Sequence, residues 1–127
     1  MQNRKWLYKP TGEEVAALGG FELIEADPCW QYRDKKVRGG AEHHYRTMSL
    51  HELCLLPVED LAAENSVLFM WATWPMLPEA FALMKAWGFK YKSAGLIWAK
   101  TNKVATDTQF FGLGHMTRGN TEPCLLG

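Results

Sequence analysis

The alternation of apolar runs and polar stretches along this chain predicts an α/β domain. Phe21-Glu22-Leu23-Ile24-Glu25-Ala26 begins with a period of two and reads as a short strand. Ser66-Val67-Leu68-Phe69-Met70-Trp71-Ala72-Thr73 is an unbroken apolar run, the habit of a parallel strand buried on both faces. Pro75–Trp87 reads as a helix, because Leu77, Ala80, Phe81, Met84 and Trp87 recur at spacings of three and four. Gly88 is placed to cap it in the left-handed region. Lys90–Lys100 reads as a further strand, with Ala94, Leu96, Trp98 and Lys100 on one side, and Glu122–Gly127 as another. Strands alternating with helices imply right-handed crossovers and a mostly parallel sheet with flanking helices.

The remaining segments punctuate this frame. Residues 1–20 form a lead-in, with a turn at Pro10–Gly12, a helical stretch over Glu13–Leu18 and a stop at Gly19-Gly20. Ser49 and Glu52 make a capping box that opens a short helix ending before Pro57. Val58–Glu64 is expected to add a helical turn. Residues 31–46 lack any hydrophobic period and contain Gly39-Gly40, so they read as a long polar loop, a setting where function often resides. Thr101–Phe111 is a second polar loop. Trp71, Trp74, Trp87 and Trp98, and Met70, Met76 and Met84, have apolar neighbours and are assigned to packing.

Composition narrows the class. A chain of 127 residues is one domain's worth, and its 47% hydrophobic and 22% charged residues are those of a globular fold. No apolar run reaches the roughly 18–20 residues of a membrane helix. The start lacks an apolar signal core, so export is not expected. Three cysteines, an odd and scattered set, make no disulfide framework and fit a reducing cytoplasm. His51 and Cys54 have no second pair to complete a tetrahedral zinc site, so no metal is expected. The formal net charge is zero, but the signs are segregated. Residues 31–46 carry Arg33, Lys35, Lys36, Arg38 and Arg46 against Asp34 and Glu42, a net of +3. Residues 47–84 carry five acids and no Lys or Arg, and residues 85–106 carry five lysines and no acid. At physiological salt a polyanion feels such stretches locally, over a range of about 8 Å; ordinary solvated faces explain the same pattern.

One motif carries chemistry. Asp27-Pro28-Cys29-Trp30 follows the first strand, at the end where open α/β sheets bind ligands. The exocyclic amine of adenine is a poor nucleophile, because its lone pair is delocalised into the ring. Two acceptors on its two N–H bonds draw the nitrogen toward a pyramidal, nucleophilic geometry. The Asp27 carboxylate can be one acceptor and the Pro28 carbonyl, fixed by the proline ring, the other. Trp30 can stack on the base, which must be flipped out of a duplex to arrive there. The plain alternative is a strand-to-loop turn with a buried tryptophan.

The wider sequence resembles the MT-A family of S-adenosylmethionine-dependent adenine-N6 methyltransferases, with its bacterial and phage branch nearest. The resemblance runs from Phe21 to Gly127 through EADPCW at 25–30, HYRTMSLHEL at 44–53, SVLFMWAT at 66–73, WGF at 87–89, LIWAKTN at 96–102 and GLGHMTRGNTEPCLLG at 112–127. It implies a partial Rossmann-like methyltransferase fold of circularly rearranged order. It also implies methyl transfer from S-adenosylmethionine to adenine N6 in nucleic acid, with DNA favoured over RNA. The implied catalytic group is Asp27, Pro28, Cys29 and Trp30; Asp27 and Tyr45 lie toward the cofactor. Trp30, Lys100, His115, Arg118, Asn120 and Glu122 lie on the substrate side. The other readings are a cytosine-N4 or RNA methyltransferase, and a non-catalytic nucleic-acid-binding or interaction remnant.

Two departures stand out. The third signature position, usually proline, is Cys29, which removes one rigid residue and introduces a thiol. No glycine-rich strand-to-helix turn for a cofactor is evident. Residues 21–127 therefore read as the substrate-side part of the domain, with the cofactor side incomplete. On this reading the last strand leaves an unpaired edge, and self-association follows.

Overall fold

The computed structural model describes residues 11–31, 46–102, 108–109, 112 and 119–127. Helix α1 (Gly12–Ala17) starts at a capping box, in which Thr11 accepts from the Glu14 backbone and Glu14 reaches back to Thr11. Strand β1 (Phe21–Ala26) follows, then α2 (Leu50–Cys54), β2 (Ala62–Trp71), α3 (Leu77–Ala86), β3 (Ser93–Ala99) and β4 (Thr121–Leu126). Short 3₁₀ turns at Glu59–Leu61 and Trp74–Met76 lead into β2 and α3. The expected turn after Val58 thus closes early, and β2 begins within the stretch assigned to it. No helix among the described residues is long and apolar enough to cross a membrane.

The strands lie in the order β1-β2-β4-β3. Among the described strands only β1 and β2 pair in parallel; β4 runs antiparallel to both β2 and β3. The sheet is therefore mixed, which corrects the expectation of a mostly parallel one. The last strand also has partners on both sides, so it leaves no free edge: among the described strands the edges are β1 and β3. Alternation along a strand reports burial but not which neighbour it takes, and β4 inserts between two strands that precede it.

Helices α2 and α3 cover one face. Leu68 and Met70 of β2 and Leu125 of β4 point into that side and meet Ala80, Leu83, Met84 and Trp87 of α3, Leu53 of α2, and Trp30. Leu68, Met70, Leu83 and Met84 have almost no exposed surface. The buried stripe of α3 runs through Leu83, which the sequence reading passed over. Phe81 sits about 100° round the helix from Ala80, is 39% exposed and packs edge-on against Tyr91. Residues 66–73 are not buried on both faces either, because Phe69 and Trp71, on the far side of β2, are only half-buried. That side exposes Leu23, Val67, Leu96 and Trp98.

Two glycines fix the path. Gly88 has φ +84° and ends α3, with its N–H donating to the Lys85 carbonyl and the Phe89 N–H to the Met84 carbonyl. Gly20 has φ +87°, and a Cβ there would stand 2.5 Å from the Ala63 nitrogen and 2.6 Å from the Ala62 carbonyl carbon. This close approach lets β1 start against β2, where the register jumps from Phe21↔Ala62 to Leu23↔Val67. Gly20→Ala is expected to cost at least about 1–3 kcal/mol, from positive φ and backbone overlap together. Gly12→Ala, in open space at the start of α1, is expected to be neutral or stabilising by up to about 1 kcal/mol. Chemical denaturation of the two variants measures the contrast.

Candidate active-site cleft

The carboxyl ends of β1, β2 and β3 and the amino end of β4 converge at one end of the sheet. There Asp27, Trp71, Leu96, Ile97, Trp98 and Glu122 line an open cleft of about 560 Å³. Asp27 leaves the end of β1 and Trp71 the end of β2. Trp98 and Glu122 face each other across the β3–β4 pairing.

Trp71, Trp98 and Glu122 are each held by a definable contact. The Trp71 indole N–H donates to Glu25 Oε1 at 2.9 Å, and the Trp71 and Trp98 rings meet edge-to-face with centroids 6.4 Å apart. Lys100 Nζ forms an ion pair with Glu122 and lies 5.1 Å from the Trp98 ring centroid. The Lys100 backbone N–H donates to Asn120 Oδ1 at 3.0 Å, while the Asn120 amide donates to Gln109 Oε1. Asn102 donates to Thr108 Oγ1 at 2.7 Å and to the Gln109 carbonyl. The two asparagines thus tie the ends of β3 and β4 to the intervening segment.

Burial holds the Asp27 carboxyl above the usual carboxylate range, and the negative charges of Glu122 and Glu25 push it the same way. The cleft therefore favours a protonated Asp27 more than water does.

The signature turn is rigid. The Trp30 N–H donates to the Pro28 carbonyl at 2.8 Å, and the Met48 N–H to the Cys29 carbonyl at 2.9 Å. Pro28 is buried and Cys29 half-buried. A carbonyl oxygen has two lone pairs, and the Trp30 N–H engages one of those on Pro28. Trp30 itself is 5% exposed, packs in the core and donates its indole N–H to the Trp71 carbonyl at 3.3 Å. The expectation that it stacks on a base is corrected here: a ring so enclosed has no free face, and it braces the turn from below.

Among the residues singled out in the sequence, Asp27, Lys100 and Glu122 come together at the cleft; Pro28, buried, and Cys29, half-buried, follow Asp27 in the turn and are outside the described lining. Asn120 serves the backbone of Lys100. Tyr45, His115 and Arg118 lie outside the described residues. Of the basic run over 85–106, Lys100 is at the cleft, whereas Lys90 and Lys92 precede β3 and lie at the opposite end of the sheet. The cleft residues that sequence reasoning missed are Trp71, Leu96, Ile97 and Trp98, together with Glu25, which holds the Trp71 indole. Trp98 is 53% exposed and Trp71 half-buried, which corrects their assignment to the core. The signal was available: Trp98 shares a face with Lys100 two residues on, and Trp71 closes the apolar run at its carboxyl end.

The profile of the MT-A70 family matches residues 21–127. The chain belongs to the MT-A70 family. It is similar to a type II methyltransferase, M.MunI, from Mycoplasma sp, with 31% identity over a 98-residue alignment that covers 63% of this chain and 42% of that protein. It is also similar to the human N(6)-adenosine-methyltransferase catalytic subunit METTL3, with 27% identity over 114 residues, covering 90% of this chain and 18% of that protein. The corresponding Danio rerio subunit matches to the same extent. The chain thus spans less than half the length of these relatives. The MT-A70 match begins at the first residue of β1 and takes in every strand of the sheet and the whole described lining of the cleft.

Proposed function

We propose that this chain carries the substrate side of an adenine-N6 methyltransferase acting on DNA, with S-adenosylmethionine as methyl donor. The observation that carries the reading is the meeting of Asp27, the Lys100–Glu122 pair and two indole rings beside the Asp27-Pro28 turn. The strand order β1-β2-β4-β3 supports assignment to a Rossmann-like methyltransferase fold of rearranged order.

In this reading the adenine amine donates one N–H to the Asp27 carboxylate and the other to the remaining lone pair of the Pro28 carbonyl. Both contacts withdraw the nitrogen lone pair from the ring. Trp71 and Trp98 supply the aromatic walls against which the base rests. The amine becomes positively charged as its new N–C bond forms and the donor's sulfur–methyl bond breaks to leave a neutral thioether, and Asp27, which would hold that amine, can take the proton it then releases. Its raised proton affinity suits the task. Lys100 neutralises Glu122, so that Asp27 can ionise beside it.

The sulfonium of S-adenosylmethionine fits a lining of carboxylates and indoles, and Asp27, Glu122, Trp71 and Trp98 are the residues that would hold it. When bound it supplies an electrophilic methyl carbon. Neither β1 nor β2 is followed by a glycine-rich turn among the described residues, so these residues address the reacting end of the donor rather than its adenosine.

The test is transfer of labelled methyl from S-adenosylmethionine to oligonucleotides. Adenine-containing single-stranded DNA is expected to be labelled at N6, and matched DNA lacking adenine is not. Labelling of cytosine N4, or of RNA alone, would replace the substrate assignment; binding without labelling favours a non-catalytic nucleic-acid binder. Lys100→Met supplies a further expectation. Removing the cation leaves Glu122 unopposed, so the ionisation of Asp27 moves to higher pH and the acid limb of the rate profile moves with it. Glu122→Gln is expected to move that limb to lower pH.

A further inference from the structure

Trp74 has no part in the cleft as described, yet it stands at the same end of the sheet. It follows β2 in a 3₁₀ turn, between Ala72 and Met76, which are 3% and 6% exposed, while Trp74 itself is 48% exposed. Its ring is not loose. Pro75 restricts the turn, and the indole N–H donates to Thr121 Oγ1 at 3.0 Å. Thr121 opens β4, pairs with Ala99 next to Lys100, and immediately precedes Glu122 of the cleft. By strand alternation Thr121 and Glu122 point to opposite sides of β4, so Trp74 and the cleft flank one strand end.

We infer that Trp74 is a second contact for nucleic acid, a stacking platform for a base flanking the one held in the cleft; this rests on reading the cleft as a base pocket. An indole whose polar edge is pinned to the sheet presents its π-face at no further ordering cost. Any base offers a π-face in return, so the contact needs no particular flanking sequence. A strand that delivers one extruded base over the sheet end brings its neighbours to the rim, where Thr121 holds Trp74 and pairs with Ala99. A protein partner at this indole is the competing occupant.

Fluorescence anisotropy with a labelled single-stranded adenine-containing DNA oligonucleotide tests the inference, alongside thermal unfolding of each variant. Trp74→Ala is expected to weaken binding by roughly 5- to 150-fold with its unfolding midpoint little changed. Trp74→Phe, which keeps a ring but loses the tie to Thr121, is expected to retain most of the affinity. Unaltered binding by Trp74→Ala overturns the inference and leaves the indole to a protein partner. So does a loss by Trp74→Phe as large as that of Trp74→Ala with a matching fall in unfolding midpoint, because the indole is then a strut. A wild-type chain that binds and methylates, while Trp74→Ala matches it, removes this inference alone; a wild-type chain that binds no oligonucleotide removes the cleft reading with it.

Discussion

Asp27→Asn is expected to lower methyl transfer by about 10²–10⁴-fold while leaving the fold at least as stable as wild type at neutral pH. The first half follows from chemistry. An amide keeps a carbonyl acceptor of similar shape, so the base can still be held, but it neither carries the charge that polarises the amine nor takes up the departing proton. The second half follows from the carboxyl's surroundings. Burial, Glu122 and Glu25 all raise the proton affinity of Asp27 in the folded state. A group shifted in this direction stabilises the fold fully only below its ordinary carboxylate value. That contribution is lost as pH rises through the higher folded-state value. At pH 8 the wild-type fold therefore carries an opposed charge that the asparagine removes; near pH 3 the two proteins are expected to converge. Because the group is substantially solvent-facing, screening keeps the stability difference small. Thermal unfolding at the two pH values, beside labelled methyl transfer, separates the cases. A midpoint that drops by several degrees at pH 8 would make Asp27 a structural residue and take away its catalytic assignment.

Part of this site was legible in the sequence for physical reasons. Asp27 follows a strand whose start shows a period of two, and the ligand end of such a sheet is a property of its geometry. The helix over Leu77–Ala86 and its cap at Gly88 follow from spacing and from the backbone freedom of glycine. What was not legible concerns partners rather than elements. Nothing local in Thr121–Leu126 says that it lies between β2 and β3, yet that insertion brings Glu122 to Lys100 and Trp98. Hydropathy likewise cannot tell one tryptophan from another. Trp30 and Trp98 both have apolar neighbours, but one is sealed under the signature turn and the other half open on an edge strand. The contacts that separate them, the Trp30 indole on the Trp71 carbonyl and the Trp98 ring against the Trp71 ring, join residues from different elements.

Trp87→Ala is expected to cost about 3–5 kcal/mol of stability, enough to unfold a small domain of ordinary stability or bring it close to unfolding. Trp87 is 4% exposed at the end of α3, inside the cluster formed by Leu53, Leu68, Met70, Leu83 and Met84. Its indole N–H donates to the Leu53 carbonyl at 2.9 Å, joining the last turn of α3 to α2. Trp87→Phe isolates that bond: most of the apolar volume stays, the Leu53 carbonyl keeps the Leu56 N–H, and about 0.5–1.5 kcal/mol is expected for the one hydrogen bond lost. The consequence reaches the cleft. Helix α2 begins at the Ser49 cap, one residue after Met48, and the Met48 N–H holds the Cys29 carbonyl next to Pro28, whose carbonyl is the proposed second acceptor for the amine. An α2 released from Trp87 loosens that strap, so Trp87→Phe is expected to reduce methyl transfer even where the chain is fully folded. The fall in rate should exceed what the folded fraction explains when both are measured at one temperature. A rate that tracks the folded fraction alone would confine Trp87 to stability and break the proposed link from α3 through α2 to the Asp27-Pro28 turn.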